Sequence, residues 1–192
     1  LQELGTPTEA SDPAIDQRQP APQSKPNDFP DRQQSQPAVG PLTDARNERG
    51  EAPEQLLIVD TETTGLDAQT DQCLEVGAVL FSVSSRQVLA QVSFLLPVDS
   101  NPAEAINRIP APVTRMPQPW QQGLAYFQEL MSSADVLVAH NASFDRQWFG
   151  RGGLPSASRP WLCTLEDVRW PAERQLRARP SVIDLALAYG VP

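Results

Sequence analysis

Hydrophobic positions are unevenly distributed along this chain, and their spacing predicts most of the elements. Leu56-Leu57-Ile58-Val59 is a short continuous apolar run, the pattern of a strand buried on both faces. Leu74–Phe81 and Val88–Leu96 are β-branched and apolar with Ser84-Ser85-Arg86-Gln87 between them, which predicts a hairpin. Asn101–Asn107 and Trp120–Met131 have helical spacing. In the second, Leu124, Phe127, Leu130 and Met131 form one stripe. Asp135–Ala139 reads as another buried strand, Ser143–Phe149 as a short helix ended by Gly150, Gly152 and Gly153, and Trp161–Cys163 as a strand. Ser181–Tyr189 reads as a helix that Ser181 caps, Asp184 completes as a capping box and Gly190 stops. The order is three strands, two helices, then alternating strands and helices. This order predicts an α/β or α+β layer fold, with α/β favoured: a mixed sheet that opens with an antiparallel meander and is flanked by helices.

Before Gln55 the texture differs. Residues 1–53 hold nine of the 20 prolines, are rich in Gln, Asp and Ser, and have Phe29 as their only aromatic. Such a segment cannot bury enough apolar surface to offset its ordering entropy. Residues 1–53 are therefore expected to be a disordered Pro/Gln-rich tail, and residues 54–192 the folded domain.

The formal net charge is −9: 9 acids and 5 bases in residues 1–53, 15 acids and 10 bases in residues 54–192. An acidic chain is poorly suited to a salt-driven grip on a nucleic-acid backbone, although cations bound by carboxylates can reverse the local sign. Cys73 and Cys163 lie in no CxxC pair, so neither a zinc site nor a disulfide framework is expected. Unpaired thiols suit a cytoplasmic setting. No apolar run reaches the roughly 18 residues of a membrane span and no leader pattern opens the chain, so no membrane partner is expected.

Two polar clusters interrupt the apolar pattern. Asp60 and Glu62 close the first strand in the run DTETTG. Residues two apart on a strand share a face, so both carboxylates point the same way if the strand reaches Glu62. Two adjacent carboxylates resist joint ionisation, and a cation relieves the repulsion. Mg²⁺ takes oxygen ligands, usually one or two carboxylates plus phosphate and water. Thr63-Thr64-Gly65 then allow a sharp turn with exposed backbone. The second cluster, His140-Asn141-Ala142-Ser143-Phe144-Asp145, follows a buried strand and opens a helix. Alone, it reads equally well as a plain helix start, with Asn141 as cap and Asp145 favoured by the helix dipole.

Together the clusters resemble the first and second motifs, DxETTG and HNxxFD, of the DEDD superfamily of 3′–5′ exonucleases. That family includes the proofreading (epsilon) subunit of bacterial DNA polymerase III. The resemblance spans roughly residues 54–192. It implies a ribonuclease-H-like fold and two-metal hydrolysis of a 3′-terminal phosphodiester, with two divalent ions, Mg²⁺ or Mn²⁺. It implies Asp60, Glu62 and Asp145 as catalytic residues and metal ligands. Thr63, Thr64, Gly65 and Leu66 are implied to hold the terminal nucleotide, with Leu66 against the base, and His140, Asn141 and Phe144 to complete the substrate site. The implied partners are a single-stranded or frayed 3′ end of DNA and a DNA polymerase subunit. An RNA-trimming exonuclease of the same superfamily, or an inactive nucleic-acid-binding module, remain alternatives.

The chain departs from the family at the third motif, HxAxxD, which carries the general base and a fourth carboxylate. Its one histidine, His140, already belongs to the second motif. The expectation is that the third motif lies beyond Pro192 and that these 192 residues alone are nearly inactive. Asp184, with no accompanying histidine, reads as a helix cap. The Arg-rich stretch from Arg146 to Arg179, with Trp148, Trp161 and Trp170, reads first as a solvated face over core tryptophans and second as a single-strand track.

Overall fold

The computed structural model describes residues 52–191. All but the last two residues of the expected tail, 1–53, therefore lie outside the described residues.

Five strands form one sheet in the order β3-β2-β1-β4-β5. The first three, β1 (Gln55–Thr63), β2 (Cys73–Ser82) and β3 (Gln87–Leu95), make the expected antiparallel meander. β4 (Val136–Ala139) then pairs parallel to β1, and β5 (Trp161–Cys163) parallel to β4. The α/β ribonuclease-H-like order expected from the sequence is therefore present. The hairpin turn is tied to the start of β1 by Glu54, whose Oε1 accepts from Ser82 Oγ at 2.7 Å and from Ser84 Oγ at 2.6 Å.

Four helices lie between the strands, α1 (Glu104–Asn107), α2 (Ala111–Thr114), α3 (Trp120–Ser133) and α4 (Ala142–Arg146), and a 3₁₀ turn at Ala172–Arg174 and α5 (Val182–Tyr189) follow β5. The α3 stripe does what its spacing predicts. Phe127, Leu130 and Met131 are buried, and Leu124 packs against them. Gly123 lets α3 come close to the sheet, because a Cβ there would sit 2.8 Å from the Phe94 ring. Full burial of a side chain such as Leu57 or Phe127 is worth about 1.5–3 kcal/mol. The helix α5 has the predicted capping box between Ser181 and Asp184, and Gly190 ends it in the left-handed conformation at φ 67°.

Several expectations are corrected. The run Leu56–Val59 is not buried on both faces. Leu57 and Val59 are buried, but Ile58 is 43% exposed because it faces the side of the sheet away from α3. The helix expected over Asn101–Asn107 is a single turn from Glu104. The turn α2 was not signalled by apolar spacing; Pro112 sits in its first turn, where its missing N–H costs nothing, and Thr114 Oγ1 anchors it by donating to Ala111 O at 2.8 Å. Among the described residues no helix is long and apolar enough to cross a membrane.

Candidate active site

The strand β1 does reach Glu62, so Asp60 and Glu62 share one face of the sheet. Across the antiparallel pair, Asp60 stands opposite Gly77 and Glu62 opposite Glu75. This face holds a depression of about 540 Å³ whose lining includes Ile58, Asp60, Gly77, Val79, Gln91 and Ser93.

Asp145 reaches the end of β1 from α4. The parallel pairing of β1 with β4 stops at Ile58 and Val138. Beyond it the backbone N–H of Thr61 has no ladder partner, and a buried unpaired N–H is costly. Asp145 supplies the acceptor: its Oδ1 takes bonds from Thr61 N at 3.0 Å and Thr61 Oγ1 at 2.9 Å. Its Oδ2 makes no hydrogen bond to another described residue. Asp145 is only 2% exposed. Burial, the largest influence, raises its carboxyl, the bonds from Thr61 pull it down and the charge of Asp60 pushes it up, which together leave it raised to about 7. Burial also raises Asp60, helped by Glu75 and opposed by His140. It raises Glu62 as well, helped by Asp60 and then Glu75. The carboxylates thus sense one another.

His140 leaves β4 at this edge, with Nδ1 2.9 Å from Thr164 Oγ1. Asn141 occupies the N-cap position of α4 in the left-handed conformation, at φ 65° and ψ 51°, and its side chain does not cap the helix. That corrects the capping role expected of it; instead its Oδ1 accepts from Ser143 Oγ at 3.2 Å. Phe144 packs edge-on against Trp148, with ring centroids 6.0 Å apart.

The turn after β1 is also built. Thr63 and Thr64 are buried. Thr64 N donates to Gln72 O, and Gln72 N returns a bond to Thr64 Oγ1 at 2.9 Å. Gly65 is needed for close approach: a Cβ there would lie 2.3 Å from Asp71 Oδ2, the oxygen that accepts from Asp67 N. Leu66 is 66% exposed beside the site, where Gln147 Nε2 donates to its carbonyl at 3.3 Å. Asn107 Nδ2 donates to Thr63 O at 2.9 Å and fixes α1 to the same turn.

Sequence reasoning missed Thr61, Glu75, Asn107 and Thr164. Glu75 had a usable signal, since pairing β2 against β1 places it beside Glu62. Asn107 and Thr164 had none, because their contacts depend on loop paths. Cys73 is half-buried, with its thiol pushed up to about 12 chiefly by burial. Trp148 and Trp161 are core residues. Arg177 pairs with Asp184 at 2.7 Å and Arg179 with Glu166, so two of the basic residues form a solvated face. Asp184 is held low by its bonds from Ser181, as a cap should be.

All three candidate ligands offer hard oxygen donors, which suit Mg²⁺ or Mn²⁺ rather than zinc. Among the described residues, no group of three His, Cys, Asp or Glu side chains is gathered as a metal cage. Mg²⁺ does not require one, because water and substrate phosphate complete its shell. Asp60, with Glu62 and Asp145 each raised in part by its charge, fits that requirement.

Comparison with known proteins supplies the family. The RNase_T family model, described as Exonuclease, matches residues 57–151. The chain is 29% identical over 119 residues to the PolC-type DNA polymerase III of Thermotoga petrophila, covering 57% of this chain and 8% of that protein. It is 35% identical over 92 residues to the DNA polymerase III subunit epsilon of Treponema pallidum, covering 45% of this chain and 40% of that one. The chain thus spans less than half the length of these relatives. Among solved structures, Exonuclease X in complex with 5′ overhanging duplex DNA matches with a TM-score of 0.52 and 26% identity, over 70% of this chain and 73% of that one. E. coli Exonuclease I in complex with an oligonucleotide matches at 0.53 and 18% identity, over 72% and 36%, and supports the fold alone. From Leu57 to Arg151, the stretch that carries both carboxylate clusters, this chain matches the RNase_T exonuclease family.

Proposed function

We propose that this domain is a metal-dependent 3′–5′ exonuclease acting on single-stranded or frayed DNA ends in the cytoplasm, in partnership with a DNA polymerase. The observation that carries the reading is the placement of Asp60 and Glu62 on one face at the end of β1, with Asp145 bonded to the intervening Thr61. The polymerase relatives and the DNA-bound Exonuclease X support the DNA substrate and the polymerase partner.

In this reading Asp60, Glu62 and Asp145 supply the oxygen donors for two divalent ions. When bound, these ions neutralise phosphate charge and lower the pKa of the attacking water. The remaining work belongs to the protein. The turn Thr63–Leu66, locked by Gln72, Asp71 and Asn107, presents backbone and the exposed Leu66 side chain to the terminal nucleotide. Phe144 packs at the start of α4 and keeps Asp145 directed at Thr61. His140, clamped by Thr164, faces the Asp60 charge and stands ready to meet a phosphate. A general base is the missing part: the chain has one histidine, and it sits in the second motif.

The test is Mn²⁺ titration together with digestion of 5′-labelled single-stranded DNA and RNA, for the 192-residue chain and for Asp60→Ala. The expected result is Mn²⁺ binding that Asp60→Ala abolishes, with slow shortening of DNA from the 3′ end. Binding that survives Asp60→Ala refutes the site. Fast turnover by the 192 residues refutes the missing base and turns attention to His140.

A further inference from the structure

The open sheet face carries one carboxylate to which the proposed function gives no role. We infer that Glu75 is a positioning residue of the candidate site: it stands directly opposite Glu62 and strengthens divalent-cation binding there through its charge. This rests on the metal-dependent reading above.

Three observations place it. The register of β1 and β2 sets Glu75 opposite Glu62, and Gly77, the neighbour facing Asp60, has no side chain to screen one carboxylate from another. Ser93 on β3 donates to Glu75 Oε1 at 2.9 Å, so one oxygen is held while Oε2 has no hydrogen-bond partner among the described residues. No ion pair reaches Asp60, Glu62, Glu75 or Asp145 among the described residues.

Like charges directly opposite one another across strands are destabilising. Antiparallel pairing could have placed any residue at position 75, and a purely structural partner for Ser93 needs only an acceptor, which Gln provides equally well. A carboxylate at that position costs stability in the metal-free protein and returns a benefit only when a cation lies nearby. The two possible roles therefore differ in metal affinity. If Glu75 only supports Ser93, replacing it with Gln leaves metal affinity unchanged. If Glu75 acts on the cation, the same change weakens binding; under either role, removing the like charge opposite Glu62 stabilises the metal-free fold.

The experiment is Mn²⁺ titration by calorimetry and thermal melting in EDTA, on the full 192-residue chain, for wild type, Glu75→Gln, Glu75→Asp and Asp60→Asn. The expected Glu75→Gln result is a loss of Mn²⁺ affinity of about tenfold or more, the range for residues just outside a metal's ligands, with a melting temperature in EDTA above that of wild type. Glu75→Asp keeps the charge and retains more of the affinity than Glu75→Gln. An affinity within twofold of wild type for Glu75→Gln, or a lower melting temperature or loss of fold in EDTA, overturns the inference. Asp60→Asn separates this from the wider reading. If Asp60→Asn abolishes binding while Glu75→Gln does not weaken it, only the role of Glu75 is lost. If Asp60→Asn binds like wild type, the metal-site reading itself is wrong, and the Glu75 inference falls with it.

Discussion

Replacing Asp145 with Asn should make the metal-free protein more stable at neutral pH and less sensitive to pH. Asn keeps the oxygen that accepts from Thr61 N and Oγ1, so the junction between α4 and β1 survives. What it removes is a buried charge. In the fold, burial first and the Asp60 charge after it raise the Asp145 carboxyl to about 7, against an ordinary value of 3.8. The folded protein thus holds this proton more tightly than the unfolded chain. Its contribution to stability is complete below pH 3.8 and is lost as pH rises towards 7. At about 1.36 kcal/mol per unit, the full loss has a ceiling of roughly 4 kcal/mol, of which about 2–3 kcal/mol falls between pH 5 and pH 8. Urea denaturation in EDTA at pH 5, 6, 7 and 8 measures it. Wild type should lose stability over this range relative to Asp145→Asn, with the gap opening by about 2–3 kcal/mol, or about 1–2 M in the urea midpoint. Mg²⁺ at pH 8 should stabilise wild type and leave the variant nearly unchanged. Parallel pH curves for the two proteins would falsify the claim that Asp145 is a carboxylate buried without adequate compensation.

Three smaller predictions accompany it. Thr61→Val deletes the hydroxyl bond to Asp145 Oδ1 and leaves a buried acceptor short of one partner; stability should fall by about 1–3 kcal/mol in urea denaturation. Gly65→Ala forces Asp71 off Asp67 N, so amide exchange over residues 66–72 should quicken while the core amides of β2 stay protected. Deleting residues 1–51 should shift the melting temperature of the domain by no more than a degree or two, because their composition offers little apolar surface to pack; a large loss in calorimetry would show that they do pack on it.

What could be read in advance divides along physical lines. The strands and α3 were legible because burial on one side imposes a period that the chain displays openly. The helix α5 was legible from two local bonds, the Ser181–Asp184 box, and from a glycine at its end. The shared face of Asp60 and Glu62 followed from strand alternation alone. Ile58 misled because a continuous apolar run looks the same whether one face or two are covered. Asn141 misled for a different reason: its type suits a cap, but its left-handed backbone turns the side chain away from the helix amides. Thr61 and Asn107 were out of reach, since their roles arise from segments that meet only once the chain has folded.

The bond between Thr61 and Asp145 also ties chemistry to the order of folding. It joins residues 84 positions apart, whereas the meander of β1, β2 and β3 closes through short turns. Loop-closure entropy favours the meander first and the β1–β4 junction later. A nascent or partly folded chain can therefore display Asp60 and Glu62 on a finished hairpin while Asp145 is still far away. The proposed set of three carboxylates would be complete only once the long-range parallel pair has formed.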